Sequence, residues 1–474
     1  MTTHFIPEKN DLPDTYLIVG AGPAGLVAAR AFMRAGIKFD IVEKYHEVGG
    51  IWNIENEGSP MYKSCNFIAS KKRGGFIGYP MPDHFMDFPK WTEIREYIHM
   101  MARDYGIDRQ VEFGREVVSA VPQGEGASTV WNVAFKNGET RRYRGVIYAG
   151  GHEWQRYMPE IDGMETFEGR LIHSRDYHST VEFDGKRVLV IGAGNSGVDI
   201  SSDAAVAADF AALSTRRGYW FLPKQVFGVP ITEYIDGTEE LPARFAGMDF
   251  DERIEVLLSL VGDLTRFGLP APDHQLTETH PIVSNTVLHN LSHGRLSWRP
   301  DVAKIDGADV HFKDGRVEQY DVIVCATGYD ITVDFVPEDL LEYRNGRPVT
   351  HLSTFFPGVD GLYAVGIMHV ADNGYQNFDE FSQMIVADIK ATLTGENAEN
   401  VRILKEEYRP DLKKGINLVD TRRNENQYSG PAMHEMLAHV QSEFGIVIPE
   451  WHDRAFYADL LVDADRRARV MTAA

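Results

Sequence analysis

The chain carries one six-residue pattern twice, as Gly20-Ala21-Gly22-Pro23-Ala24-Gly25 and as Gly192-Ala193-Gly194-Asn195-Ser196-Gly197. Each copy follows a short apolar run, Tyr16-Leu17-Ile18-Val19 or Val188-Leu189-Val190-Ile191, of the kind that forms a strand buried on both faces of a parallel sheet. After the first copy, strong helix formers fill the stretch from Pro23 to Ala35, and Gly36 stands where a left-handed cap ends a helix. Ile37 to Val42 then alternates as a second strand, ending at Glu43. After the second copy, a helical stretch from Asn195 to Val206 and a strand from Phe210 to Thr215 end on Arg216-Arg217. Strand, turn, helix and strand make a βαβ unit. The two turns lie 172 residues apart, too far for a solenoid repeat, so they are read as two dinucleotide-binding domains.

A GxGxxG pattern alone is weak, because turns commonly need glycine. In a βαβ setting the first glycine allows the tight turn, the second lets backbone approach a pyrophosphate, and the third lets helix pack on strand. The helix N-terminus then offers free N–H groups and a positive dipole end to the phosphates. Gly20, Gly22, Pro23, Ala24 and Gly25 are therefore expected at one dinucleotide, and Gly192, Gly194, Asn195, Ser196 and Gly197 at another.

The ends of the second strands separate the cofactors. Glu43, followed by Lys44, lies 18 positions after Gly25, where a carboxylate accepts hydrogen bonds from ribose hydroxyls; FAD or NAD fits. At the second unit the corresponding residues are Thr215, Arg216 and Arg217. A 2′-phosphate is repelled by an acid and matches the planar fork of a guanidinium, so NADPH fits there. The alternative for the Arg pair is a solvated strand end.

Composition bears on the partners. Lys and Arg number 48 against 70 Asp and Glu, and the net charge of −22 repels nucleic acid and anionic membrane surfaces. The start, Met1 to Leu12, and the end, with Arg466, Arg467 and Arg469, are unsuited to a bilayer. Cys65 and Cys325 are the only cysteines, which excludes a disulfide scaffold and a thiolate cluster and suits a reducing cytoplasm. Two dinucleotide sites suggest a flavoprotein reduced by NADPH. A dithiol electron acceptor needs two neighbouring cysteines, and these stand 260 positions apart, which leaves oxygen as the acceptor.

Further motifs carry a resemblance. Phe167 to Tyr177 reads FxGxxxHxxxY, which is similar to the fingerprint of the flavin-containing monooxygenases; Tyr177 is followed by His178, unlike the Trp-ended version of the Baeyer–Villiger enzymes. Gly49-Gly50-Ile51-Trp52, Gly192 to Asp199, Ser214 to Gly218 and Ala326-Thr327-Gly328-Tyr329 also resemble that family, in order, over about residues 14 to 393. The resemblance implies a class B flavoprotein monooxygenase with FAD and NADPH, a hydroperoxide formed at flavin C4a from O₂, and oxygen transfer to nitrogen or sulfur of a small-molecule nucleophile. It places Gly50, Ile51, Trp52, Thr327, Gly328 and Gln383 among the cofactor-binding residues, with the substrate side or a surface position as the alternatives for Gln383, and it gives His173 and Tyr177, in the connecting segment, a part in coupling nicotinamide binding to flavin access. Baeyer–Villiger oxygenation of a ketone, or uncoupled oxidation of NADPH, remain alternatives on the same scaffold.

One departure stands out. The family commonly sets an Asn beside the reactive flavin edge, and ungapped anchoring on Lys71 and Tyr79-Pro80 puts Ile68 at that place, with Asn66 two residues earlier. Positions two apart in an extended segment share a face, so Asn66 is the candidate, with a polar turn residue as the alternative. His280, His289 and His293 lack the further ligands of a metal site, and none is expected.

The expected fold is α/β, with two Rossmann-like dinucleotide-binding domains. Buried strands at Gly145 to Gly151, Tyr320 to Tyr329 and Gly361 to Gly366, and a helix from Asp379 to Leu393, suggest that the NADPH domain (179–319, with a helical insertion including Ile254 to Thr265) interrupts a discontinuous FAD domain (1–178 and 320–474). The oligomeric state is left open, a homodimer included.

Overall fold

The first apolar run becomes β1 (Asp11–Val19), and its residues explain its central place. Tyr16 and Ile18 face α1 (Pro23–Ala35), while Leu17 and Val19 point to the opposite face against Trp131 and Val146. A strand with no polar face must be covered on both sides. β1 pairs in parallel with β2 (Phe39–Glu43), as the βαβ reading requires. Proline at the first turn of α1 and Gly36, with φ of 69°, set the helix bounds. The computed structural model describes residues 11–235, 247–248, 250–370 and 374–447. The expected terminal segments, apart from residues 11 and 12, lie outside them.

The sheet continues through α2 (Trp91–Asp104), β3 (Val111–Phe113), β4 (Val117–Gln123), β5 (Val130–Phe135) and β6 (Thr140–Tyr148). Its order is β3-β2-β1-β6-β5-β4, with β4, β5 and β6 an antiparallel meander and β1 and β6 parallel.

The second sheet is assembled from β7 (Arg170–His173), β8 (Arg187–Ile191), β9 (Phe210–Ser214), β10 (Ser297–Arg299) and β11 (Val322–Cys325), with α3 (Asn195–Ala207) following β8. All its pairings are parallel, in the order β10-β9-β8-β11-β7. β7 and β11 lie outside the 179–319 span expected for this unit. An apolar run such as Val322-Ile323-Val324-Cys325 announces a buried strand without naming its sheet. Pairing is set instead by distant partners: Asp321 accepts the Arg187 N–H on its carboxylate at 2.7 Å, and its carbonyl takes the Arg170 N–H at 2.8 Å. The chain crosses between the sheets twice, and the crossings Gln155–Arg156 and Tyr329–Asp330 pair with each other as a short antiparallel ribbon.

The insertion holds helices at Ile231–Ile235, Phe250–Val261 and Thr286–Ser292. The second ends earlier than Thr265 because Gly262, at φ of 77°, breaks it, and Asp263 caps a separate turn by accepting the Thr265 N–H. β12 (Leu362–Ala364) then returns to the first sheet beside β6, and α4 (Gly374–Thr394) packs on α1. α4 begins five residues before the expected Asp379. At its contact with α1 the fully buried Asp379 accepts two hydrogen bonds from Arg30, at 2.6 and 2.7 Å. Among the described residues no helix is long and apolar enough to cross a membrane.

Candidate functional sites at two glycine turns

The two glycine turns are nearly the same object. Gly20 and Gly192 have φ of 110° and 105°, and a Cβ on either would press on a carbonyl oxygen, Ala149 at 2.6 Å or Ala326 at 2.5 Å. A Cβ on Gly25 or Gly197 would stand 1.9 Å from the carbonyl oxygen of the first glycine of its own turn. Gly22 and Gly194 cap the helices that follow, both in extended conformation. These close approaches leave the N-termini of α1 and α3 open for an anion.

A cavity of about 400 Å³ lies over the first turn. Gly20, Gly22, Pro23, Ala24, Glu43, Lys44, Gly50, Ile51 and Trp52 all line it; Gly25 lies beneath, packing helix on strand. Glu43 is buried, and its two oxygens accept the N–H groups of Ala21 at 2.8 Å and Tyr45 at 3.0 Å. Burial pushes its carboxyl up and these bonds oppose that. Each oxygen keeps a lone pair for a ribose hydroxyl.

Sequence reasoning missed several wall residues. Tyr375 and Phe378 come from the first turns of α4, and Arg115, Trp154 and Arg175 from connecting segments. Arg175 stands inside the FxGxxxHxxxY stretch and is held by the carbonyls of Gly58 and Trp154, both at 2.7 Å. The pair Gly150-Gly151, a turn signal at the end of β6, pointed to this wall.

At the second turn, Thr215 accepts the Trp298 indole N–H and donates to the Arg217 carbonyl, both at 2.9 Å. This orders the strand end that carries the two arginines. Arg216 is exposed and, among the described residues, has no ion-pair partner. Arg217 is half-buried, with Nε 3.8 Å from Asp273. Thr327 and Gly328 follow the C-terminal end of β11, an inner strand of the second sheet, and do not line the first cavity; Thr327 donates to the Tyr157 carbonyl at 2.6 Å.

Four expected residues lie off the wall of the first cavity. The Asn66 amide donates to the Phe88 carbonyl at 3.0 Å, and Asn66 does not line the cavity. Gln383 is buried on α4, away from the cavity wall, with Nε2 lacking a hydrogen-bond partner among the described residues. Tyr177 is fully buried and donates to Asp203 on α3 at 2.8 Å. His173, also buried, contacts the Gly328 carbonyl through Nε2 at 3.0 Å and the Arg175 N–H through Nδ1 at 3.1 Å. A carbonyl only accepts and an amide N–H only donates, so the ring is neutral with its proton on Nε2. Burial lowers its pKa to about 4, which removes it from acid–base work near neutrality and makes it a clamp on the Gly328 turn.

Both cysteines are free and buried, and burial raises both thiols. His289 and His293 lie 4.2 Å apart, ring to ring, and among the described residues no group of three potential metal ligands occurs.

Residues 15–369 match the family described as FMO-like, flavin-binding monooxygenase-like. The chain belongs to this family. It is thus an oxidoreductase of the flavin monooxygenase type, with FAD and NADPH as cofactors. Flavin-containing monooxygenase 5 of Rattus norvegicus is 30% identical over 72% of this chain, and the match spans 67% of that protein, about two thirds of its length. Among solved structures, S-allyl-L-cysteine S-oxygenase from Allium sativum has a TM-score of 0.62 at 20% identity, covering 96% of this chain and 93% of the other. Cyclohexanone monooxygenase from Rhodococcus sp. Phi1, bound to NADP⁺, gives 0.59 at 18%, covering 82% and 85%. These two likenesses are of fold. The flavin monooxygenase reading also fits the chain's own geometry, since the glycine turns leave no room for Cβ atoms and a buried carboxylate faces the first cavity.

Proposed function

We propose that this flavin monooxygenase oxidises NADPH and inserts one atom of O₂ into nitrogen or sulfur of a small nucleophile. The observation that carries the reading is the pair of near-identical turns with opposite charges at their strand ends, buried Glu43 and exposed Arg216. In this reading FAD lies in the cavity over Gly20–Gly25, with Glu43 on its ribose and the N-terminus of α1 at its pyrophosphate. NADPH lies at Gly192–Gly197, with Arg216 on its 2′-phosphate. The FAD unit then comprises residues 11–154 and 329–447, and the NADPH unit 158–328. When bound and reduced, FAD supplies the activation of O₂.

The protein's own part is positioning and exclusion of water. Trp52, Trp154, Tyr375 and Phe378 give the first cavity an apolar wall. His173 holds the Gly328 turn beside the second site, and with its low pKa it keeps that hold across the neutral range. A sulfur or nitrogen lone pair needs no general base to attack an electrophilic oxygen. The ending Tyr177-His178 favours this branch over ketone oxygenation. We place the enzyme in the cytoplasm, without nucleic-acid or membrane partners.

The test is product analysis on purified protein with NADPH, air and, separately, a sulfide, a tertiary amine and a cyclic ketone. Sulfoxide or N-oxide in near-equal amount to NADPH consumed is expected. Lactone as the main product selects Baeyer–Villiger oxygenation, and hydrogen peroxide in place of any product selects the uncoupled oxidase. Colourless protein that releases no FAD on heating removes the whole reading.

A further inference from the structure

The crossing ribbon joins the two units through backbone, and a second seam joins them through side chains. α3 carries Asp199 and Asp203 one turn apart, so both carboxylates share a face. Tyr62, in the loop between Trp52 and α2, donates its hydroxyl to Asp199 Oδ2 at 2.9 Å. Ser64, from the same loop, donates to Asp203 Oδ2. Tyr177, after β7, donates to that same Asp203 oxygen at 2.8 Å. The two tyrosine rings are buried 5.6 Å apart, and Tyr177 stacks on Phe183 at 4.9 Å, so the hydroxyls arrive from an oriented pair.

Two carboxylates one turn apart repel each other, and burial opposes the charge of both, with Lys224 the cation that acts on Asp199. Apolar residues would hold a merely packed seam more cheaply. What carboxylates add is direction: each acceptor fixes where a hydroxyl must sit, and two acceptors one turn apart fix both the rotation and the slide of α3. The first turn of α3 is Asn195-Ser196-Gly197, the phosphate end of the second site. The loop holding Tyr62 begins at Gly50-Ile51-Trp52, on the wall of the first cavity. A short, stiff path therefore connects one dinucleotide turn to the other.

We propose that Asp199 and Asp203, with Tyr62, Ser64 and Tyr177, form a two-point latch that sets the nicotinamide dinucleotide against the flavin. They are positioning residues. The latch governs hydride transfer, in which NADPH becomes NADP⁺ and FAD takes the hydride, and leaves the affinity for each cofactor nearly unchanged. The inference rests on the two-site reading above.

The experiment compares Tyr62→Phe, Tyr177→Phe and the double variant as FAD-loaded full chains, by anaerobic single-turnover reduction with NADPH. A fall of about tenfold in the limiting rate for each single variant, and more for the double, is expected. FAD content and the dissociation constant of NADP⁺ are expected to stay within about twofold. Asp199→Asn keeps an acceptor for Tyr62 and is expected to restore most of the rate relative to Asp199→Ala. Unchanged reduction rates overturn the latch, as do losses that follow FAD content or NADP⁺ affinity alone. If Tyr177→Phe fails to fold, Ser64→Ala removes one donor to the same oxygen, and a rate equal to wild type then overturns the proposal. Failure of the underlying reading is separable, because it appears as wild-type protein that NADPH does not reduce.

Discussion

Gly25→Ala tests the first site at a single carbon atom. The added Cβ would stand 1.9 Å from the Gly20 carbonyl oxygen, whereas real Cβ contacts do not fall below about 3.0 Å, so something must move by at least about 1.1 Å. The turn cannot retreat, since Gly20 already abuts Ala149. The N-terminus of α1 must lift instead. Ala gains about 1 kcal/mol over Gly in helix propensity, and overpacking costs about 1–3 kcal/mol, so net stability falls by no more than about 2 kcal/mol and the chain still folds. Cofactor binding suffers more. A shift of that size takes a phosphate hydrogen bond out of range, and with about two charge-assisted bonds lost at about 1.5–3 kcal/mol each, FAD affinity drops by roughly 10² to 10⁴. Titration of apoprotein with FAD, followed by flavin fluorescence, reads this directly. Gly197→Ala, with the same 1.9 Å contact, is the internal control: FAD content unchanged and NADPH reduction lost. A Gly25→Ala protein that purifies with full FAD and normal activity refutes the steric argument at both turns.

Arg216→Ala is expected to raise the KM for NADPH by about five- to thirtyfold while changing that for NADH less than twofold, an exposed guanidinium being partly screened by solvent; equal effects on both nucleotides would remove the 2′-phosphate assignment. Arg217→Ala is expected to do less, because Arg217 is already shared with Asp273. The low pKa of His173 makes the native state reluctant to bind a proton that the unfolded chain accepts below about pH 6.5. Stability is therefore lost as pH falls from about 6.5 toward 4, by up to about 3 kcal/mol from this group, and urea unfolding should show a shallower acid limb in His173→Gln than in wild type. Arg30→Met leaves Asp379 buried without its cation and is expected to cost about 3–5 kcal/mol in urea unfolding; a loss below about 1 kcal/mol would show that the pair is dispensable to the α1–α4 contact.

What could be read from the sequence is what local sterics dictate. Proline near the start and glycine after the end bound α1 at Pro23–Ala35, as expected, and the glycine spacing located both turns because each clash is made within a few residues. Features set by distant partners were not legible. The apolar run of β11 was visible, yet its place in the second sheet depends on Arg187 and Arg170 meeting Asp321. Alternation puts Asn66 and Ile68 on one face of an extended segment, but the direction of the Asn66 amide is set by the Phe88 carbonyl, 22 positions away. Tyr375 and Phe378 escaped notice because the helix that presents them starts five residues before its expected beginning.

Shape alone does not distinguish the two glycine turns, since their first and third glycines meet corresponding obstacles at nearly equal distances. The distinction lies in how each strand end handles charge. Glu43 is buried and bonded to two backbone N–H groups, one of them in the turn itself, so its orientation is set before any ligand arrives. A pre-set, water-excluded acceptor favours a long-lived complex, because little ordering remains to be done on binding. Arg216 stands in solvent at the rim, where attraction is screened and side-chain freedom must be given up each time a phosphate docks. That arrangement suits a ligand exchanged at every turnover. On the assignment proposed above, a retained flavin and a visiting nicotinamide follow from burial at one strand end and exposure at the other, on turns that are otherwise interchangeable.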